Sequence, residues 1–201
     1  MMDLINNNIK NASLSLEWIA GFFDATATIH FATTKRFVQE KPYYRIKPEV
    51  RIYKIKREIL DNINKTLGVG FVTRSTQRAH DNHWAYKILG KNNLISLCNK
   101  LVPLMVVKTQ QMNIMKDYLS LQKNDSTIYS YEEIKLQVEY RDRLFQVDSF
   151  YKPNRFPQKY TKEMILKDME WLESFDIKKW KHDRNVKGGL MTRRQKEVIL
   201  E

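Results

Sequence analysis

The stretch "IAGFFDATATIHF", residues 19–31, changes its hydrophobic period at its midpoint. Its first half, extended back to Ser13 or Ser15 as the N-cap, is apolar around nearly the whole circumference of a helix. Its second half alternates apolar and polar side chains, which is typical of a strand. A helix that is apolar on nearly every side needs burial on more than one side, so we predict that it lies at the centre of the fold.

The segments that follow continue the alternation of helices and strands. The predicted elements are strands at 28–37 and 42–55, a helix ending at Gly68, a hairpin around 77–82, and a helix pair broken at Pro103. The fold class is therefore α+β, with an α-β-β-α-β-β-α unit over residues 13–122. Residues 123–201 are predicted to form a helical, basic C-terminal extension.

The charge balance points to a polyanionic partner. The 201 residues carry a formal net charge of +12, and 42% of them are hydrophobic, as in a globular protein. No apolar run reaches the roughly 18 residues that a membrane span needs, so no membrane partner is predicted. The frequent Asn, Lys and Ile suggest an AT-rich coding sequence, and we expect an organelle-encoded protein of a mitochondrion or plastid.

Cysteine and histidine give no sign of a metal site. The single cysteine, Cys98, excludes a disulfide within the chain and a Cys-rich zinc site, and its apolar helical surroundings predict a core position. His80 and His83 lie together in a predicted hairpin loop without a third ligand nearby. They are expected to form a polar turn rather than to bind a metal ion.

Three segments, in this order, resemble the LAGLIDADG homing endonuclease family. "IAGFFD" (19–24) matches the first six letters of the motif, and "LGVGFV" (67–72) is similar to the family's helix-to-strand turn. "LVPLMVVKTQQMNIM" (101–115) is similar to its Pro-broken helix pair. The resemblance covers about residues 14–120 and includes one copy of the motif. It implies a four-stranded antiparallel sheet that forms half of a saddle on nucleic acid.

The resemblance also implies three active-site positions, of which one is retained. The metal-binding acid of the family falls at Thr26, followed by Ala27 in place of glycine. Its polar residue at the end of the second strand falls at Lys54, and its lysine at Lys108. Mg²⁺ prefers carboxylate oxygens, so no metal or other cofactor is predicted unless the chain is an endonuclease. Asp24 lies about 200° around the helix from Thr26 and is expected to point away from a metal.

Basic residues follow the predicted strands and favour contact with nucleic acid, because Tyr43, Tyr53 and Trp84 interleave with them. A solvated sheet face is the alternative. The basic residues predicted to bind nucleic acid are Lys35, Arg36, Arg45, Lys47, Arg51, Lys54, Arg74 and Lys87.

The motif helix itself predicts an interface, because its apolar side chains are too many to face water. The occupant could be a second copy of the chain, a neighbouring protein of a ribonucleoprotein, or the chain's own helix at 161–175. The predicted interface residues are Trp18, Ile19, Ala20, Gly21, Phe22 and Phe23.

Two functions of different classes follow from the resemblance. The first is a non-cleaving binding protein that holds RNA, either as a maturase-like factor or as a subunit of an organellar ribonucleoprotein such as a ribosome. The alternative is a homodimeric homing endonuclease that makes site-specific double-strand cuts in DNA. A transcriptional regulator on the same fold is a third, weaker hypothesis. The missing acid at Thr26 favours the first function and RNA as the ligand, with DNA possible.

Overall fold

A computed structural model describes residues 14–54, 56–75, 83–123, 128–151 and 158–180, with the exception of the side chains at 54 and 148–151. The helices are α1 (Leu16–Thr26), α2 (Arg57–Leu67), α3 (Lys91–Leu101), α4 (Thr109–Leu121), α5 (Tyr131–Tyr151) and α6 (Lys162–Met169), with 3₁₀ turns at Val102–Leu104 and Glu170–Ser174. The strands are β1 (Thr28–Val38), β2 (Lys41–Lys54), β3 (Phe71–Arg74) and β4 (Trp84–Leu89). The predicted α-β-β-α-β-β-α order is confirmed. The predictions for Ser13, His80 and residues 181–201 lie outside the described residues.

The opening stretch folds as its change of period predicts. Ser15 is the N-cap of α1, and its side chain accepts a hydrogen bond from the backbone N–H of Trp18 at 3.2 Å. The backbone N–H of Ala27 closes the helix on the carbonyl of Phe23. Because β1 begins at Thr28, the helix passes into the sheet without a loop, and the end of α1 lies at the start of the sheet.

The four strands form one antiparallel sheet in the order β1-β2-β4-β3. A two-residue turn, Gln39–Glu40, joins β1 to β2, and both of its residues have positive φ angles (48° and 64°). Residues directly opposite each other in a sheet share a face. The register therefore places the odd-numbered residues of β1 with the even-numbered residues of the other strands on one face, which packs on the helices. We call the opposite face the open face.

The covered face carries the hydrophobic core. Phe31 of β1 packs on Tyr118 of α4 with ring centroids 4.6 Å apart, and Ile52, Tyr86 and Ile88 are fully buried on the same side of the sheet. The core continues without interruption into Val138 of α5 and other buried residues of the C-terminal helices. The C-terminal helices therefore share one core with the sheet.

Side chains from outside the sheet form hydrogen bonds with backbone groups along part of β2. Strand β4 pairs with β2 from Glu49 onward, so the first half of β2 has a strand neighbour on one side. On its other side, the carbonyl of Pro42 accepts from Nε1 of Trp171 at 2.9 Å, and the N–H of Tyr44 donates to the sulfur of Met169 at 3.4 Å. The hydroxyl of Tyr118 donates to the carbonyl of Ile46 at 2.6 Å. These contacts supply the hydrogen-bond partners that a fifth strand would otherwise give.

The C-terminal helix does not cover the motif helix. Helix α6 packs on β2 and α5, and Oδ2 of Asp168 accepts from Lys35 at 2.8 Å and from the hydroxyl of Tyr44 at 2.6 Å. The suggestion that the segment 161–175 folds back over α1 is therefore corrected. The reason is that the apolar side of α6 packs on β2 and covers buried apolar residues of that strand.

Two smaller predictions can be compared with the structure. Cys98 is fully buried in α3, as predicted, and burial raises the pKa of its thiol to about 11. No described helix is both long and apolar enough to span a bilayer.

Candidate functional site

A single carboxylate joins the end of the motif helix to the start of α4. Oδ2 of Asp24 accepts hydrogen bonds from the backbone N–H groups of Val106 (2.7 Å) and Val107 (3.1 Å), and Oδ1 accepts from the N–H of Lys108 (2.9 Å). Lys108 is the N-cap residue of α4 and has no side-chain cap of its own. Asp24 therefore supplies the cap from another element.

These contacts stabilise the ionised form of the Asp24 carboxyl group. Burial by itself would raise the pKa of its carboxyl. The hydrogen bonds from the three N–H groups and the nearby charge of Lys108 outweigh burial and lower that pKa below its ordinary 3.8. Asp24 is thus a structural acid, a role that local sequence patterns hardly indicate because its three donors lie 82–84 positions away.

Thr26 and Lys108 both lie at the C-terminal end of α1. Oγ1 of Thr26 donates to the carbonyl of Phe22 at 2.7 Å, one turn earlier in the same helix. Nζ of Lys108 donates to the next carbonyl, that of Phe23, at 3.1 Å. A cation at this end of a helix stabilises the helix dipole. The structure therefore brings together two of the three predicted active-site positions.

These residues do not fit a divalent metal ion. Mg²⁺ requires hard, anionic oxygen ligands, whereas Thr26 is neutral and its hydroxyl proton is engaged with a helix carbonyl. Both oxygens of Asp24, the nearest acid in the motif, are occupied by backbone N–H groups. Among the described residues, no group of three His, Cys, Asp or Glu side chains could hold a metal. The third predicted position, Lys54, is the last residue of β2 and pairs with Trp84 in the register.

Four of the predicted nucleic-acid contacts lie on the open face in the register. Lys47 lies opposite Ala32, and Arg45 lies opposite Thr34. The other two are Arg36 on β1 and Lys87 on β4. Arg36 and Lys47 are exposed, whereas Arg45 and Lys87 are half-buried. Together they form a cationic band across three strands, which we call the open-face cations.

Arg51 also lies on the open face, but an acid holds it in place. Its guanidinium contacts Glu49 through Nε (2.6 Å to Oε2) and Nη2, and Nη1 donates to the hydroxyl of Tyr53. Nε2 of His30 lies 3.4 Å from the other carboxylate oxygen. Burial alone would raise the pKa of Glu49, but the contacts with His30 and Arg51 outweigh it and lower that pKa. The sequence prediction missed Glu49 and His30, because a lone acid among strand cations looked unremarkable.

Two other predicted contacts lie off the open face. Lys35 belongs to the covered face and forms an ion pair with Asp168. Arg74 ends β3 opposite Trp84, in the register of the covered face, and is therefore separated from the open-face cations. The reason in both cases is the two-residue period of a strand, which sends neighbouring side chains to opposite faces.

Two of the three aromatic residues that interleave with the cations are engaged in contacts within the chain. Tyr43 is buried, and its hydroxyl accepts from the N–H of Tyr129 at 3.0 Å; burial raises its pKa to about 12. Trp84 packs against the core beneath the guanidinium of Arg57, which lies 4.7 Å from its ring centroid. Only Tyr53, half-buried beside Arg51, keeps the predicted position among these three.

The motif helix divides the predicted interface in two. Ile19, Ala20 and Phe23 are fully buried in the chain's own core, which corrects their assignment to an external interface. The opposite side of α1 is exposed: Trp18 is 45% exposed and stacks on Phe22 at 5.1 Å. We call Trp18, Gly21 and Phe22, with the neighbouring Val106 and Val107, the exposed motif face. Val106 and Val107 are 84% and 51% exposed, and the bonds to Asp24 fix them beside this helix.

Known structures share the fold of this chain. The homing endonuclease I-CvuI, determined in complex with DNA, aligns with 79% of this chain and 94% of its own, with a TM-score of 0.65 and 17% identity. The archaeal intron-encoded homing endonuclease I-Vdi141I, complexed with DNA, aligns with 80% of this chain and 97% of its own (TM-score 0.66, 19% identity). The chain has the LAGLIDADG homing endonuclease fold. Neither a protein-family model nor a curated protein matches its sequence.

The LAGLIDADG meganuclease I-AabMI, bound to uncleaved DNA, gives a further measure of size. It aligns with 73% of this chain but with 51% of its own length, at 20% identity and a TM-score of 0.55. The chain thus spans about half of that protein, and nearly all of I-CvuI and I-Vdi141I. This agrees with a LAGLIDADG fold that contains one motif, as the sequence predicts.

The role of Asp24 can be tested by changing its charge. We expect Asp24→Asn to lower the free energy of unfolding by about 1–3 kcal/mol near pH 7, because an amide cannot accept from N–H groups with both of its terminal atoms. Since the folded-state pKa is lowered, the stabilisation is fully present above the ordinary value of 3.8 and is lost as the pH falls from there through the folded-state pKa. Urea denaturation near pH 7 and at about pH 3 measures both effects.

Asp117→Asn is the matched control, since Asp117 is an exposed acid on α4. It should leave the stability within about 0.5 kcal/mol of the wild type. If Asp24→Asn and Asp117→Asn destabilise the protein equally, or if the effect of Asp24→Asn persists unchanged at low pH, the carboxylate does not act as the cap.

Proposed function

We propose that this protein binds nucleic acid along the open face of its sheet and holds it without cutting it. The observation that carries the proposal is the register, which places Arg36, Arg45, Lys47 and Lys87 on one face of three adjacent strands. A cationic band of this kind suits a row of phosphates, because each neutralised phosphate releases a counterion. The net charge of +12 adds a long-range attraction to the same partner.

The structural neighbours support this class of partner. I-CvuI and I-Vdi141I were determined with DNA, and both share the fold of this chain. Fold similarity does not by itself transfer an activity. The proposal therefore depends on the side chains of this sequence: cations on the open face support binding, whereas the neutral Thr26 argues against cleavage.

A finer proposal concerns the ligand. We infer that the bound nucleic acid is RNA, held by a maturase-like factor or by a subunit of an organellar ribonucleoprotein such as a ribosome. The support is chemical: a fold that keeps its cations and lacks the metal-binding acid is suited to holding rather than cutting. Sequencing the nucleic acid that copurifies with the protein tests this, since DNA fragments sharing one recurrent site would contradict it.

The binding face can be tested through the salt dependence of affinity. We expect the triple variant Arg45→Ala, Lys47→Ala, Lys87→Ala to weaken binding to the copurifying nucleic acid. The slope of log K against log[salt] should fall by roughly one unit per lost phosphate contact, about two to three units in all. Fluorescence anisotropy titrations at several salt concentrations measure this slope.

The matched control removes three lysines that are exposed on helices: Lys65, Lys116 and Lys135. It changes the net charge equally and should leave the slope within about half a unit of the wild type. Equal losses in the two triple variants would show that net charge, rather than the open face, sets the affinity.

The absence of cleavage is the second expectation. The wild-type protein with Mg²⁺ or Mn²⁺ should leave duplex DNA uncut, because Thr26 supplies no anionic ligand. Thr26→Asp, alone or with Ala27→Gly, should restore part of a metal site, and isothermal titration calorimetry with Mg²⁺ should then detect binding. Thr26→Asn is the control of similar size without a charge, and it should bind no metal.

The endonuclease alternative is favoured by one observation, the position of Lys108 beside the end of α1. Site-specific double-strand cleavage by the wild-type protein would establish that alternative. If Thr26→Asp binds no more metal than Thr26→Asn, other parts of the site are also missing.

We further propose that the exposed motif face joins two copies of the chain or one copy and a ribonucleoprotein neighbour. A Cβ at Gly21 would meet no atom within 4 Å, so Gly21→Trp should leave the isolated fold intact while blocking the close approach of another helix. If the wild type is a homodimer, the variant should be a monomer of about 24.1 kDa by light scattering.

Asn113→Trp introduces the same side chain at an exposed position on α4 and should leave the assembly unchanged. A wild-type monomer that binds nucleic acid would rule out the homodimer and favour a ribonucleoprotein neighbour. A dimer that persists in Gly21→Trp would place the interface elsewhere.

A further inference from the structure

A pocket opens in the sheet where β4 ends. Strand β4 stops at Leu89, opposite Glu49, whereas β2 continues past this point in the direction of Lys47. The chain turns at Gly90 into α3 and leaves a gap beside β2 with a volume of about 440 Å³. This lies within the range of roughly 300–1,000 Å³ that is typical of sites for small organic ligands. The lining residues on the open face are Ala32, Thr34, Lys47, Glu49 and Arg51.

The lining combines cations with a small apolar surface. Lys47, Arg51 and Lys91 contribute three positive charges, and Glu49 contributes one negative charge. Glu49 is 5% exposed and is held by Arg51 and His30, so the pocket retains a net positive charge. The apolar part of the lining comes from Ala32, Pro48 and Leu89.

The walls of the pocket are fixed by contacts within the chain. Nζ of Lys91 donates to the carbonyl of Gln122 at 2.6 Å, which ties the start of α3 to the end of α4 across one side of the gap. Nε of Arg51 donates to Oε2 of Glu49, and this bond holds two further lining side chains in place. The pocket is thus formed by side chains that are already held in place, which lowers the entropic cost of binding a ligand.

We propose that this pocket takes one unpaired nucleotide of the nucleic acid that lies on the open face. A nucleotide combines a flat, largely apolar base with an anionic phosphate, and the lining offers apolar atoms beside ammonium and guanidinium groups. The pocket lies within the cationic band, because Lys47 belongs to both. A base that leaves a bound strand at this point therefore meets the pocket directly. This inference rests on the proposed function and deepens it: the protein distinguishes a duplex with an extruded base from a regular duplex.

The test compares two RNA duplexes of equal length, one regular and one with a single bulged 2-aminopurine. We expect the bulged duplex to bind about tenfold more tightly, the effect of one additional contact of modest strength. We also expect the 2-aminopurine fluorescence to rise on binding, since the base leaves its stacked neighbours and the described lining residues include no aromatic side chain.

Two variants with added bulk separate the pocket from the rest of the face. Ala32→Leu fills the pocket and should bring the ratio of the two affinities to about one. Thr73→Leu adds bulk to the open face on β3, outside the lining, and should keep the tenfold ratio. Circular dichroism establishes that both variants are folded.

The outcomes separate this inference from the proposed function. Equal affinities for the two duplexes, or an unchanged ratio in Ala32→Leu, would overturn the nucleotide pocket while leaving nucleic-acid binding intact. Failure of the wild type to bind either RNA, or the corresponding DNA duplexes, would overturn both. Binding of adenosine monophosphate alone with a Kd below about 10 μM would show that a free nucleotide, rather than a base of a bound strand, is the occupant.

Discussion

The rest of the arrangement depends on the three hydrogen bonds that the carboxylate of Asp24 accepts from backbone N–H groups. Three consecutive N–H groups at the start of α4 need acceptors, and no side chain within α4 supplies a cap. The carboxylate that meets this need stands near the C-terminal end of α1, whose carbonyls need donors in turn. Lys108 provides one of those donors through Nζ. Each helix therefore supplies hydrogen-bond partners for the unpaired backbone groups at the end of the other. These bonds set the position of the motif helix relative to α4.

This exchange also explains how the helix is held without an acid at position 26. Asp24 and Lys108 form the hydrogen bonds that join α1 to the start of α4. Thr26 bonds back to its own helix, and as a neutral residue it places no negative charge at the C-terminal end of the helix dipole. The bonds that join the two helices thus depend on Asp24 and Lys108, and a LAGLIDADG fold can be recognised in a sequence without an acid at position 26.

Local patterns predicted the elements well, because the determinants of each element are near in sequence. Ser15 as an N-cap, Gly68 in the left-handed conformation at the end of α2, and the alternation of β1 all agree with the structure. The face of a side chain was harder to predict, since one position along a strand separates Arg36 on the open face from Lys35 on the covered face. Contacts between distant segments were not predictable from one sequence. The pairing of Lys35 with Asp168, and of Glu49 with His30, required the register and the packing of the sheet.

The sealed side of β2 has a consequence for how the molecule behaves at high concentration. An unpaired strand edge is a template on which another chain can add a strand, and such additions lead to sheet growth and aggregation. Along the first half of β2, an incoming strand would have to displace the indole of Trp171, the thioether of Met169 and the hydroxyl of Tyr118 before it could form a ladder. Prolines at 42 and 48 lack the N–H groups that such a ladder would use. The C-terminal helices therefore act as a barrier to intermolecular β-pairing at this edge, which allows the protein to keep a long, strongly basic hairpin at the surface.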